Sequence, residues 1–206
     1  YKEMLRYGVP VYLSTIMVHL LGNADLILVR HFCSPEEAGL YATAAVLGRI
    51  SLYVPNAILS VLFPTIAKAQ AMGHNETNIL WVSFGMTFII GGGIALLNIL
   101  WPEQIISFLF DKKYIDAAPL LQITSMAMAL LATSNVIFSY SLARSDFYYL
   151  RILFFGIVVM IGTVSIFHAS PMIIAKILLF SVGLIFIGTL IWLILTYKTR
   201  MSALPT

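Results

Sequence analysis

Six apolar runs, joined by short polar connections, decide what this chain can fold into. They are Tyr7–Val29, Ala38–Leu62, Ile79–Trp101, Leu120–Leu142, Ile152–Phe167 and Met172–Thr196. A helix needs roughly 17 to 25 apolar residues to cross the hydrocarbon core, and the fifth run is close to that lower limit. Inside lipid every backbone polar group must be satisfied within the protein, so continuous apolar runs of this length fold as helices. A closed β-barrel would show short alternating segments instead. Charged residues make up only 10% of the chain and the mean hydropathy is +0.95. A soluble domain wets its surface with about 25% charged residues. The predicted fold is therefore all-α and integral to the membrane, with about six transmembrane helices. The chain begins at Tyr1 and enters an apolar run without a signal-peptide pattern, so it is read as a segment of a longer protein.

The remaining composition excludes several classes of function. A net charge of +3 from scattered basic residues gives neither a nucleic-acid footprint nor a headgroup-binding cluster. Cys33 is the single cysteine, which rules out an internal disulfide or a CxxC metal site. No HExxH, GxSxG or Walker A pattern occurs, and His19, His31, His74 and His168 are dispersed. An enzyme is not expected, nor is a bound cofactor or metal.

Two connections are longer than the rest. Pro64–Asn78 is polar. In 102–119, Ile105, Ile106, Leu109 and Phe110 alternate with polar residues, the pattern of a segment lying in the membrane interface. With the N-terminus in the cytoplasm, Lys2, Arg6, Lys68, Arg144, Arg151, Lys198 and Arg200 fall inside, and Arg30, Lys112, Lys113 and Lys176 outside. The excess has the sign of the positive-inside rule and puts both ends of the segment in the cytoplasm. The sequon Asn75-Glu76-Thr77 would then face the cytoplasm, away from glycosylation.

Polar groups inside the bilayer are expensive and mark function by default. Arg49 lies near the middle of the second run, at an insertion cost of roughly 2.5–3.5 kcal/mol. Arg49, Tyr53, Asn56 and Ser60 fall on one helical face, and Pro55 frees a carbonyl beside them. A water-filled cavity would account for this stripe; the alternative is an arginine that snorkels or sits in a structural ion pair. On the first run Thr15, His19 and Asn23 share a face, with His19 at about the depth of Arg49. Asp25 is about 9 Å further outward by the helical rise. It could carry a coupling proton or sodium ion, or pair with a basic neighbour such as Arg30. Thr124, Met128, Asn135 and Ser139 share a face of the fourth run and could line the same cavity or join helices. The fifth and sixth runs have no central ionisable residue and are expected to face lipid.

Several segments resemble polysaccharide flippases, the lipid-linked oligosaccharide exporters of the multidrug/oligosaccharidyl-lipid/polysaccharide superfamily. They are Leu5-Arg6-Tyr7-Gly8-Val9-Pro10, Pro35-Glu36-Glu37-Ala38-Gly39-Leu40-Tyr41 with its continuation to Arg49, and Leu62-Phe63-Pro64. Phe108-Leu109-Phe110, Tyr114 and Ala117-Ala118-Pro119-Leu120-Leu121 add to the likeness. The resemblance implies a two-lobed transporter of twelve to fourteen helices around a cationic cavity, this chain being the C-terminal lobe. It implies flipping of undecaprenyl-diphosphate-linked sugar units across the prokaryotic cytoplasmic membrane by alternating access, with the N-terminal lobe of the same protein as partner. The first two spans would face the cavity, with Arg49 meeting the diphosphate or an acidic sugar. Tyr53, Asn56, His19 and Asn23 would line the substrate path, and Asp25 would couple an ion. Two other readings stay open: a cation-coupled multidrug antiporter of the same superfamily, and a membrane scaffold without transport.

Overall fold

A computed structural model describes residues 2–72 and 77–201. Asn75 and Glu76 of the sequon lie outside the described residues, as do the side chains of Lys2, Arg6, Lys198 and Arg200 that enter the charge asymmetry. Helices run Lys2–Phe32 (α1), Pro35–Gly48 (α2), Ile50–Ala71 (α3), Thr77–Leu100 (α4), Pro102–Leu109 (α5), Ala118–Ala143 (α6), Tyr149–Ile166 (α7) and Pro171–Met201 (α8). A 3-10 turn, Lys112–Ala117, precedes α6, and no strand occurs among the described residues. Five of these stretches are long and apolar enough to cross a membrane: Gly8–Phe32, Asn78–Leu100, Lys112–Ala143, Tyr149–Ile166 and Pro171–Thr196. The chain is an all-α integral membrane protein.

The second predicted span differs from expectation. Ala38–Leu62 is not one helix but parts of two, α2 and α3, which meet at Arg49. The Arg49 backbone is near-helical (φ −66°, ψ −15°), and its carbonyl accepts from the N–H groups of both Leu52 and Tyr53. Two features keep this joint from being regular helix. Gly48 packs so tightly on α6 that a Cβ there would sit 2.7 Å from Thr124 Oγ1 and 3.1 Å from the Ser125 nitrogen. Pro55 has no N–H to give the Ser51 carbonyl, and Gly91 of α4 comes against that freed oxygen, 3.0 Å from where a Cβ would be. The pairings of Asp25 with Tyr41 and of Gly22 with Arg49 set α2 and α3 antiparallel to α1. Neither α2 nor α3 is among the five stretches above, so among the described residues the second of the six predicted spans is replaced by two shorter helices.

The core is built around α6. It packs on α2, α3, α4 and α8, and 78% of the residues in its membrane window are buried. Small side chains make this possible: Ala118, Ala127, Ala132, Ser125 and Ser134 are all buried there. Asn98 Nδ2 donates to Ser125 Oγ at 2.9 Å and Gln122 Nε2 to the Ile99 carbonyl at 3.0 Å, which fixes α4 antiparallel to α6. The expectation that the last two spans simply face lipid is not met. Of their windows 33% (α7) and 39% (α8) is buried, against 28% for α1 and for α4. Hydrophobicity alone does not separate lipid contact from helix contact, because lipid tails are as apolar as leucine. After Trp101, α5 turns one residue, Ile106, into the core and leaves Phe108 and Leu109 exposed, as an interfacial segment would.

Candidate functional site

The strongest electrostatic feature joins two residues that the sequence treats separately. Arg49 Nη2 donates to Asp25 Oδ1 at 2.8 Å, and the Tyr41 hydroxyl donates to Asp25 Oδ2 at 2.9 Å. Arg49 Nε donates to the carbonyl of Gly22 at 3.0 Å. Asp25 and Tyr41 are fully buried and Arg49 nearly so. The local fold explains the arrangement. Ser34 opens α2 with a reciprocal cap, its hydroxyl accepting from the Glu37 N–H while Glu37 accepts from Ser34. From that fixed start Tyr41 and Arg49 lie eight residues apart, about 80° round the helix, so both reach the α1 flank. Glu37 lies outside the spans, and the Ser34 N–H and hydroxyl hold its carboxyl below the usual range.

Such a pair satisfies Asp25 completely while leaving other Arg49 N–H groups available. In a low-dielectric interior a lone charge would be very costly, and the pair with its hydrogen bonds offsets much of that cost. Asp25 therefore pairs across helices with Arg49 rather than along its own helix with Arg30. The arrangement of Arg49 is that of the ion-pair alternative.

The rest of the predicted stripe points elsewhere. Thr15 and His19 are exposed and Asn23 is half-buried; Thr15 bonds the Val11 carbonyl and Asn23 Nδ2 the His19 carbonyl, both within α1. Tyr53 and Ser60 are exposed on α3, and Asn56 is half-buried. None of these side chains meets Arg49 in a described hydrogen bond. What Thr15, His19, Tyr53 and Ser60 share is outward exposure. A Cβ on Gly22 would lie 3.8 Å from Leu52 Cδ2 and 3.8 Å from Leu131 Cδ2, so α1, α3 and α6 converge there. α1 also packs on α7 and α8, and α3 on α4 and α6. Sequence reasoning missed Tyr41 and the Gly22 carbonyl. The signal for the pair itself was present, as two opposite charges in consecutive antiparallel spans.

Comparisons with known proteins bear on this region. Residues 1–70 match the family model described as "Polysaccharide biosynthesis protein". Those residues contain α1, α2 and most of α3, and so every member of the ion-pair cluster. The chain is also 27% identical over 145 residues to an uncharacterized membrane protein of Methanocaldococcus jannaschii. That alignment covers 67% of this chain and 28% of the relative, so the chain spans well under half of the relative's length. No solved structure matches. The chain is thus a multi-pass membrane protein whose first 70 residues, carrying the buried ion pair, are similar to polysaccharide biosynthesis proteins.

Proposed function

We propose that this chain is the C-terminal lobe of a two-lobed exporter that moves an undecaprenyl-diphosphate-linked oligosaccharide across the prokaryotic cytoplasmic membrane by alternating access. The observation that carries the reading is the polar, exposed flank of α1 and α3 beside a buried ion pair, at bilayer depth. Thr15, His19, Tyr53 and Ser60 would be poorly placed against hydrocarbon, and an aqueous cleft shared with an N-terminal lobe gives them water. The match of residues 1–70 to polysaccharide biosynthesis proteins supports the substrate class.

In this reading the Asp25–Arg49 pair is the exchangeable part. A diphosphate competes with Asp25 for the Arg49 guanidinium, whose planar fork suits two phosphate oxygens at once. Release leaves Asp25 buried and unpaired, and a proton or sodium ion then neutralises it. Substrate binding and cation binding are coupled through one carboxylate. His19, Asn23, Tyr53 and Asn56 line the path of the sugar. The antiporter alternative needs a carboxylate open to cations at rest, whereas both oxygens of Asp25 are engaged.

The test is export in cells carrying the intact protein. Arg49→Ala abolishes surface polysaccharide per folded protein recovered in the membrane, and Arg49→Lys retains part of it because the charge stays but the fork is lost. Asp25→Asn preserves export and removes its response to the proton or sodium gradient. Normal export by Arg49→Ala overturns the reading.

A further inference from the structure

One turn below the convergence at Gly22, two carboxamides are left with oxygens that nothing among the described residues satisfies. Asn56 follows Leu52 by four residues on α3, and Asn135 follows Leu131 by four on α6. Leu52 and Leu131 are the two side chains that flank Gly22, so each asparagine lies on the same side of its helix, one turn on. The turn goes the same way on both helices. Gly48 of α2 faces Thr124, and Gly91 of α4, which faces Ser51 and Pro55, also faces Ala129; rising numbers on α2–α3 thus match rising numbers on α6. α1 runs the other way, so Val18 is the residue of α1 at this level. Asn56 Oδ1 and Asn135 Oδ1 are both buried and both lack a hydrogen-bond partner, and Asn135 as a residue is only 7% exposed. An unmet buried carbonyl oxygen loses the hydrogen bonds it made to water, and two at one junction double that loss.

We infer that the junction of α1, α3 and α6 binds a pair of O–H donors, with Asn56 and Asn135 as the two acceptors. Both unmet atoms accept, neither is charged, and the neighbouring charges are already paired with each other; two O–H donors meet that requirement without a counter-ion. They belong either to one water, whose two hydrogens serve both acceptors and which commonly occupies polar sites enclosed in this way, or to two adjacent hydroxyls of the sugar of the exported unit. The second source rests on the proposed function, and the first does not. In either case Asn135 extends the site to α6, which the family match over residues 1–70 does not reach. The site lies about one turn from Gly22, roughly 5 Å along the axis, on the side away from the ion pair.

The experiment reads water at single positions in the intact protein, in native membrane vesicles and in a Cys33→Ser background. Asn56→Cys, Asn135→Cys, Leu52→Cys and Leu131→Cys are each treated with a small water-soluble methanethiosulfonate, which needs the hydrated thiolate. Cysteines at 56 and 135 are expected to react at least tenfold faster than those at 52 and 131, one turn away and dry. Equally slow reaction at all four positions overturns the proposal. N-acetylglucosamine at millimolar concentration separates the sources. Protection at 135 assigns the site to a sugar hydroxyl; reaction that is fast and unprotected assigns it to water. If the cysteine variants fail to fold, Asn56→Leu, Asn135→Leu and the double variant are compared by thermal unfolding. Each single change strands the other acceptor and the double change strands none, so the double variant is expected to melt at or above both singles. Simple addition of two losses overturns the proposal by this route.

Discussion

Removing one half of the Asp25–Arg49 pair should cost far more than removing its charge altogether. Arg49→Met leaves Asp25 in a fully buried place with no counter-charge, held by the Tyr41 hydroxyl and the Leu26 backbone N–H alone. Breaking a buried pair from one side costs about 3–5 kcal/mol, whereas replacing both partners is often neutral. At about 1.4 kcal/mol per decade, the single change shifts the unfolding equilibrium by roughly 150- to 4,000-fold. Asp25→Asn with Arg49→Met removes both charges and keeps an acceptor for Tyr41. That double variant should recover at least about 2 kcal/mol of the loss, because the stranded carboxylate is gone. The assay is helicity against rising SDS in mixed micelles, for the wild type, both singles and the double, read as a cycle. The reasoning fails if Arg49→Met costs under about 1 kcal/mol, the value of a solvated surface pair, or if the two single losses simply add.

Three smaller outcomes follow from local geometry. Gly48→Leu should strongly reduce folded protein in the membrane, since even a Cβ would sit 2.7 Å from Thr124 Oγ1, and Gly39→Ala, with open space around it, should not. Ser34→Ala should loosen the start of α2 by about 1 kcal/mol, seen as lower amide-exchange protection at 36–38. The Glu37 half of that cap has its folded pKa below its ordinary value of 4.5, so its contribution is present above that value and is lost as pH falls through the lower folded pKa; protection factors at 36–38, corrected for the intrinsic pH dependence of exchange, should fall on acidification below about 4.5 and stay flat from pH 6 to 8. Ser145 turns the chain between α6 and α7 at φ 55°, so Ser145→Gly should raise the unfolding midpoint slightly, by up to about 1 kcal/mol, and Ser145→Val should lower it.

Much of the fold was legible because a membrane span writes itself as a continuous apolar run, and Ile79–Trp101, Leu120–Leu142 and Met172–Thr196 lie within a few residues of α4, α6 and α8. The break at Arg49 was hidden by the same rule. Hydropathy runs straight through it; Pro55 was a visible local signal, but the packing of Thr124 against Gly48 and of Gly91 against Ser51 joins helices distant in sequence. The central place of α6 was recorded only as small residues, and small residues say that something packs closely without saying what. For the site, the costly charges were visible one by one. Their pairing was not, because Asp25 was matched to the nearest base along the chain rather than to the one facing it across the turn at Ser34. Asn135 was placed on a polar face of the fourth span, yet its register with Asn56 depends on three helices meeting at Gly22.

On the proposed function, the polar faces of α1 and α3 handle a lipid-linked sugar. The most direct test is transbilayer movement of a fluorescent undecaprenyl-diphosphate-linked oligosaccharide in proteoliposomes containing the intact protein. Protein-dependent movement is expected that vanishes with Arg49→Ala, per folded protein, and loses its dependence on the cation gradient with Asp25→Asn. Movement no faster than in protein-free vesicles, or movement undiminished by Arg49→Ala, would contradict it.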